Sequence, residues 1–267
     1  MSVSTYTERV CVVTGASSGI GRRVALDLAA DGAIVVAVAR REEHLRQLVA
    51  EMGGESAGHS YFVADVSRRD QVQAMARHVE ETYDRCDVLI NNAGRGGGGR
   101  FSGPESIGLV EEVVGANFFG AVYCTGELLP LLERSAPSFV VNIASVAGRV
   151  APPGESAYCA SKFALVGWSE GLEVELARRG VYISSIEPGF IPTEGFPHAG
   201  LAANPITSRL IGSDEDVSRA IRRAIDKRKH QRTVPRFYYL IQIPRVLAPG
   251  VYRFLRDRAL QAVWSRR

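Results

Sequence analysis

The sequence predicts an α/β fold built on one doubly wound parallel sheet, and three observations carry that prediction. Short runs rich in Val, Ile and Ala recur without polar alternation, as strands buried on both faces require. Stretches of helical periodicity separate them, which implies right-handed crossovers and a sheet covered on both sides. Three of those stretches end in glycine at or just after the last turn, the usual left-handed stop. A chain of 267 residues, 46% hydrophobic and 23% charged, can bury a sizeable core.

In chain order, "RVCVVT" (9–14) is the first strand and "IGRRVALDLAADG" (20–32) the first helix. "AIVVAVAR" (33–40) leads to "REEHLRQLVAEMGG" (41–54), and "SYFVADV" (60–66) to the helix 67–84. "DVLINNAG" (87–94) precedes one long helical stretch over 105–133, and "SFVVNIAS" (138–145) precedes the helix 157–180. "VYISSIEPG" (181–189) is the sixth strand. The helix 213–229 starts with Ser213 and Asp216 in capping-box spacing, and "RTVP" (232–235) is the last strand. With no internal repeat and no long linker, residues 1–235 form one domain, with a substrate lid over 190–212 and an extension over 236–267.

Composition narrows the function classes. The N-terminus has no basic region followed by a long apolar one, so no secretory signal is expected. No stretch approaches the ~18 uninterrupted apolar residues of a spanning helix. Cys11, Cys86, Cys124 and Cys159 lie in unpaired spacing without CxxC patterns, which favours reduced core thiols in a cytoplasmic protein over disulfides or metal ligands. The net charge of +3 hides an asymmetry: the chain from Arg219 onward carries +12 and the preceding 218 residues −9.

In such sheets ligands bind beyond the carboxyl ends of the strands, where strand order reverses. "TGASSGIG" (14–21) stands at such an end, between the first strand and first helix. Gly15 suits a tight turn, Gly19 a close backbone approach, and Gly21 helix–strand packing. The free N–H groups of the helix start favour a pyrophosphate, so the stretch reads as a dinucleotide turn. A protein selective for NAD usually has an acid at the end of the second strand, where Ala39 stands here, followed by Arg40 and Arg41. A guanidinium pairs with a 2′-phosphate, so NADP(H) is preferred and NAD(H) is the alternative.

Tyr158 and Lys162 lie four apart on a helix, hence on one face with β-carbons roughly 5 to 6 Å apart. A free phenol titrates near ~10, and acid–base work near neutrality needs that lowered by ~3 units, or ~4 kcal/mol. A cation ~4 Å away at an effective dielectric of ~20 supplies about that much. Ser145, 13 residues earlier at the end of the fifth strand, can fold back beside the phenol to hold a substrate oxygen. Asn117, a poor helix former inside a helical stretch, reads either as a satisfied core amide or as an interruption that holds a water beside Lys162.

Taken in order, "TGASSGIG", "NNAG" (91–94), Asn117, Ser145, "YCASK" (158–162) and "PGFIPT" (188–193) resemble the short-chain dehydrogenase/reductase family over about residues 9–235. The resemblance implies a Rossmann-type oxidoreductase moving hydride between a nicotinamide cofactor and an alcohol or carbonyl. It implies Tyr158 as general acid/base, Lys162 lowering its pKa and binding the nicotinamide ribose, Ser145 bonding the carbonyl, and Asn117 completing a tetrad. Gly15, Ser17, Ser18, Gly19, Ile20 and Gly21 of the turn, with Arg40, are the expected cofactor contacts, and the resemblance places Asp65 and Val66 at the adenine. Asn91, Ala93 and Gly94 would flank the cofactor and steady the sheet, and Pro188, Gly189, Ile191 and Thr193 would lie beside the carboxamide. Family members are often homodimers or homotetramers. A scaffold or sensor that keeps the fold without the chemistry is the rival reading.

Two regions depart from a minimal member. Four glycines (96–99) lie between Arg95 and Arg100, which either meet an acidic substrate group or face solvent. The lid is apolar, with Phe196, Leu201, Ile206, Leu210 and Ile211, which suggests a small hydrophobic alcohol or carbonyl substrate. The extension mixes arginine with aromatic and aliphatic residues. Val251, Phe254, Leu255, Ala259 and Ala262 make a stripe that Arg258, Leu260 and Trp264 blur. Packing on the body or a second subunit, contact with an anionic membrane surface, and nucleic-acid binding compete for it, the last without any binding module.

Overall fold

Seven strands, all pairing in parallel, form one sheet in the order β3-β2-β1-β4-β5-β6-β7. They are β1 (Val10–Thr14), β2 (Ile34–Ala39), β3 (Ser60–Val63), β4 (Val88–Asn91), β5 (Ser138–Ile143), β6 (Val181–Pro188) and β7 (Gln231–Val234). The computed structural model describes residues 6–96, 99, 101–192 and 211–264, the last six by backbone alone. Thr193, Arg100 and the lid residues Phe196, Leu201, Ile206 and Leu210 lie outside the described residues, as do the side chains of Ala259, Leu260, Ala262 and Trp264.

The continuous apolar runs become strands because both sheet faces are covered. Cys11, Val13, Val35, Ala37, Ile90 and Val141 face one core with α1 (Gly19–Ala30), α2 (Glu42–Glu51) and, from the far end of the chain, Asp214–Asp226. Their neighbours Val10, Val12, Val36, Val38, Leu89 and Val140 face the other core, against α3 (Arg69–Tyr83) and Gly120–Arg134. Alternate residues of one strand thus feed two cores, which is why no polar alternation shows in the sequence. The stops at Gly32, Gly53 and Gly180 take φ of 89°, 108° and 76°.

The expected helix over 105–133 is several pieces. α4 (Ile107–Val114) and α5 (Gly120–Arg134) are separated by a π turn at Gly115–Phe119, where the Gly120 N–H reaches back to the Gly115 carbonyl. The whole run Pro104–Arg134 is long and apolar enough, by length and composition, to cross a membrane. In the fold it flanks the sheet, with Cys124, Leu128, Leu131 and Leu132 in the core.

Three strands also end two or three residues earlier than expected, which leaves Asp65, Val66, Ala93, Gly94 and Ser145 in the loops beyond the strand ends. These loops therefore gather at one edge, with the β1/β4 reversal in the middle. α6 (Ser156–Ala177) follows β5, and α7 (Asp214–Asp226) opens on Ser213, whose Oγ accepts from the Asp216 N–H at 3.1 Å as the capping spacing requires. Beyond β7 come a 3-10 turn at Arg236–Gln242, α8 (Ile243–Leu247) and α9 (Pro249–Trp264).

Candidate active site

At the carboxyl end of β1, Gly15 and Gly19 take φ of 65° and 53°, which lets the chain turn sharply into α1. A Cβ on Gly21 would come within 2.4 Å of both the Asn92 side-chain nitrogen and the Gly15 carbonyl oxygen. The helix start carries no acidic residue, and the Ser18 side chain makes no capping bond, so the first-turn amides are not taken up by a side-chain cap. Ser17 is buried, and Ile20 packs against the core below. This is a cradle that fits a pyrophosphate.

The "NNAG" loop holds the cradle in place. Thr14 Oγ1 donates to the Ile90 carbonyl at 3.1 Å and accepts from the N–H groups of Asn92 and Ala93, both at 3.0 Å. Asn92 Nδ2 donates to the carbonyls of Thr14 and Gly15 at 3.0 and 3.2 Å. Asn91 lies deeper, its amide donating to Thr125 and Asn142, which ties β4 to β5 and α5. Thr14 and Asn92 were not among the expected site residues. Their signal was available, since both are polar residues at the ends of buried strands.

Tyr158 and Lys162 sit one turn apart near the start of α6, with Lys162 Nζ 5.7 Å from the centre of the phenol ring. The buried ammonium donates to the Ile143 carbonyl at 2.8 Å, at the last residue of β5. Ser145, two residues on, is hydrogen-bonded to the Tyr158 phenol. Its Oγ also accepts from the Ala147 N–H at 3.1 Å and lies 3.3 Å from the Pro188 carbonyl. Three of the four expected catalytic groups thus meet at one strand end.

Asn117 is the fourth, brought in by the π turn and 1% exposed. Its Oδ1 accepts from the Arg95 N–H at 2.7 Å, and its Nδ2 donates to the Arg95 carbonyl at 3.0 Å and Ser161 Oγ at 2.9 Å. A Cβ on Gly94 would lie 2.9 Å from Asn117 Oδ1 and 3.8 Å from Lys162 Nζ. Both amide hydrogens therefore hold protein groups. The side chain clamps the Arg95 backbone beside Lys162.

The electrostatics also depart from expectation. Burial pushes the Tyr158 phenol up to about 12; the Ser145 hydrogen bond pulls the other way, while Cys159 and Glu155 add to the rise. Burial brings Lys162 down to about 8. The protein's own groups therefore keep the phenol protonated at neutral pH, and the lysine does not by itself bring it near neutrality. Burial is the largest influence on both groups.

At the far end of the cradle, the side chain of Arg40 is 74% exposed and lies 3.7 Å from Asp65, so a carboxylate does stand near it. Two hydrogen bonds from Ser67 and the charges of Arg40 and Arg68 hold Asp65 below its usual value, against the opposing effect of burial. Arg41 is the better-placed cation: its Nε and Nη2 lie 3.2 and 3.1 Å from Ser17 Oγ, beside the glycine turn. Val66 packs against Gly120, where a Cβ would come within 2.6 Å of it.

Just beyond the end of β6, the Gly189 N–H donates to the Val234 carbonyl at 2.8 Å and Ile191 is buried. Two further groups there were unforeseen. Glu187 is fully buried and accepts from Arg149 Nε and Nη2 at 2.9 and 2.8 Å, with Gln231 and Thr233 on its second oxygen. This pair ties the loop between Ser145 and Tyr158 to the strand that ends at Pro188. A lone carboxylate in an apolar strand was the sequence signal, because a buried charge needs a partner. Tyr238 covers Gly189 so closely that a Cβ there would meet its ring at 2.3 Å.

A parallel sheet of this order with a glycine cradle and a Ser–Tyr–Lys centre defines a nucleotide-dependent dehydrogenase/reductase. Residues 9–200 match the short chain dehydrogenase family, and the chain belongs to it. It is an oxidoreductase that acts on CH–OH or carbonyl groups with NAD(P).

Among its relatives, a 3beta-hydroxysteroid dehydrogenase of Mediterraneibacter gnavus is 36% identical over 183 residues, 68% of this chain and 66% of that protein. A 3-oxoacyl-acyl-carrier-protein reductase of Thermotoga maritima is 32% identical over 222 residues, 80% of this chain and 88% of that one. A short-chain dehydrogenase of Streptomyces avermitilis superposes with a TM-score of 0.73 at 32% identity, over 86% of this chain and 89% of that one.

Proposed function

We propose that this enzyme is an NADP(H)-preferring dehydrogenase/reductase for a hydrophobic alcohol or ketone, with Tyr158 as the group that carries the proton. The convergence of Tyr158, Ser145 and Lys162 at the end of β5 carries the reading. Bound in the cradle, the cofactor supplies or accepts the hydride and, when oxidised, adds a positive ring charge. In the reducing direction, the Tyr158 hydroxyl gives its proton to the substrate oxygen while the Ser145 hydroxyl holds that oxygen. Lys162 keeps its charge below about pH 8 and steadies the phenolate that results. Gly15, Ser17, Ser18, Gly19, Ile20 and Gly21 would hold the pyrophosphate, Asp65 and Val66 the adenine, and Pro188, Gly189, Ile191 and Thr193 the carboxamide.

Arg41 with Arg40 supports the preference for a 2′-phosphate, since one guanidinium lies at the turn and the other at its rim. Relatives named for a hydroxysteroid and for an acyl chain support an apolar substrate. Four separate buried thiols suit a reducing compartment such as the cytoplasm. Exposed Ile107 and Phe119 on the α4–α5 run suit a homo-oligomer, which sedimentation velocity would report. The test of the main reading is absorbance at 340 nm across apolar ketones with each cofactor. NADPH should be favoured, and Arg40→Ser with Arg41→Ser should raise its KM about ten- to a hundred-fold while leaving NADH little changed. Equal use of both cofactors by the natural enzyme would refute the preference.

A further inference from the structure

The C-terminal extension presents a large surface that the fold does not use. Of residues 236–258, Tyr238 alone is buried, while Phe237, Tyr239, Leu240, Ile241, Ile243, Val246, Leu247, Val251, Phe254 and Leu255 are all exposed. Val246 and Leu247 are 75% and 79% exposed. Helices on a globular protein normally turn their apolar side inward. Here Val251, Phe254 and Leu255, spaced i, i+3, i+4 on α9, remain outside, and the adjacent Tyr252 hydroxyl accepts from the Ala151 N–H at 3.0 Å. An exposed apolar area of this extent marks an interaction surface.

The same surface is cationic. The 32 residues of the extension hold seven arginines and one acid, Asp257, a net charge of +6 in a chain whose total is +3. Arg236, Arg253 and Arg258 are exposed among the apolar side chains, and the Arg258 guanidinium lies 4.9 Å from the Phe254 ring centre. Arginine can cover apolar surface with its stem while its head reaches phosphate.

We infer that this surface docks the enzyme onto an anionic lipid bilayer, with the exposed aliphatic and aromatic side chains at the acyl boundary and the arginines on headgroup phosphates. Charge decides between a bilayer and a second copy. A two-fold contact places the same patch on both partners and would set the exposed Arg236, Arg253 and Arg258 against their own copies, whereas a head-to-tail contact would continue into rings or filaments. Anionic headgroups complement the patch directly.

The platform is joined to the site. Arg245 donates to the Arg149 carbonyl and stacks 4.5 Å from the Phe163 ring centre, while Tyr238 covers Gly189. Docking would therefore bring the catalytic edge of the sheet to the membrane, where an apolar alcohol or ketone partitions. The inference rests on the surface and does not require the substrate reading to hold.

Co-sedimentation of the full chain with vesicles tests it, using phosphatidylcholine alone and phosphatidylcholine with phosphatidylglycerol, at low and high salt. Binding should require the anionic lipid and weaken with salt. Each arginine near the surface is worth about five-fold in partition, so Arg236→Gln with Arg253→Gln should weaken binding about twenty-five-fold. Val246→Asp with Leu247→Asp should abolish it, with thermal unfolding, NADPH binding and turnover of a water-soluble ketone unchanged. If that pair fails to fold, the arginine pair decides alone. No sedimentation with anionic vesicles overturns the inference. So does light scattering that shows a dimer broken by Val246→Asp with Leu247→Asp, which would make the occupant a second copy.

Discussion

Tyr158 and Lys162 are shifted by burial in opposite directions, the phenol up to about 12 and the ammonium down to about 8. Both shifts favour the neutral form. For the lysine the consequence for stability has a definite sign. Its ordinary value is 10.5, so below pH 8 folding buries a charge at a cost of about 3 kcal/mol, and that cost fades as pH rises from 8 through 10.5. Lys162→Met removes the cost and loses the bond to Ile143, worth about 1 kcal/mol. The variant should therefore melt at or above the natural enzyme's temperature at pH 7, with turnover down at least about a hundred-fold; a lower melting temperature would contradict the shift.

The Tyr158–Lys162–Ser145 set was legible because its members lie close in sequence and at a strand end. Arg149 with Glu187 was not, because the partners come from different elements, and neither was Arg41's reach to Ser17.

At the level of elements, the cradle and the loop tie make separate predictions. Gly21→Ala puts a carbon 2.4 Å from the Gly15 carbonyl, so α1 must move away from the turn. Overpacking of this kind costs about 1–3 kcal/mol, and NADPH binding measured by fluorescence should weaken at least ten-fold. Glu187→Gln leaves the Arg149 charge only partly compensated, by Glu170, and should lower stability in urea unfolding by about 3 kcal/mol. It should also lower kcat/KM, because Ser145 and Pro188 are joined through that loop; unchanged stability would show the pair to be dispensable. Strand and helix order was legible from the apolar runs and glycine stops. The π turn was not, since periodicity alone does not register one extra residue per turn, and strand ends depend on where a neighbour stops pairing.

Over the whole molecule, a sheet with reversal at β1/β4 collects residues from five strand ends into one edge, and the C-terminal extension packs on that edge through Tyr238, Arg245 and Tyr252. The charge asymmetry of the chain was visible in composition, but its placement against the catalytic loops needed the folded structure. The account as a whole depends on the Tyr158 hydroxyl as the proton carrier. The most direct measurement is steady-state NADPH oxidation by Tyr158→Phe on a ketone that the natural enzyme reduces, with cofactor affinity measured in parallel. The account predicts turnover lower by at least about a thousand-fold with affinity within a few-fold; a variant that keeps near-natural turnover would contradict it.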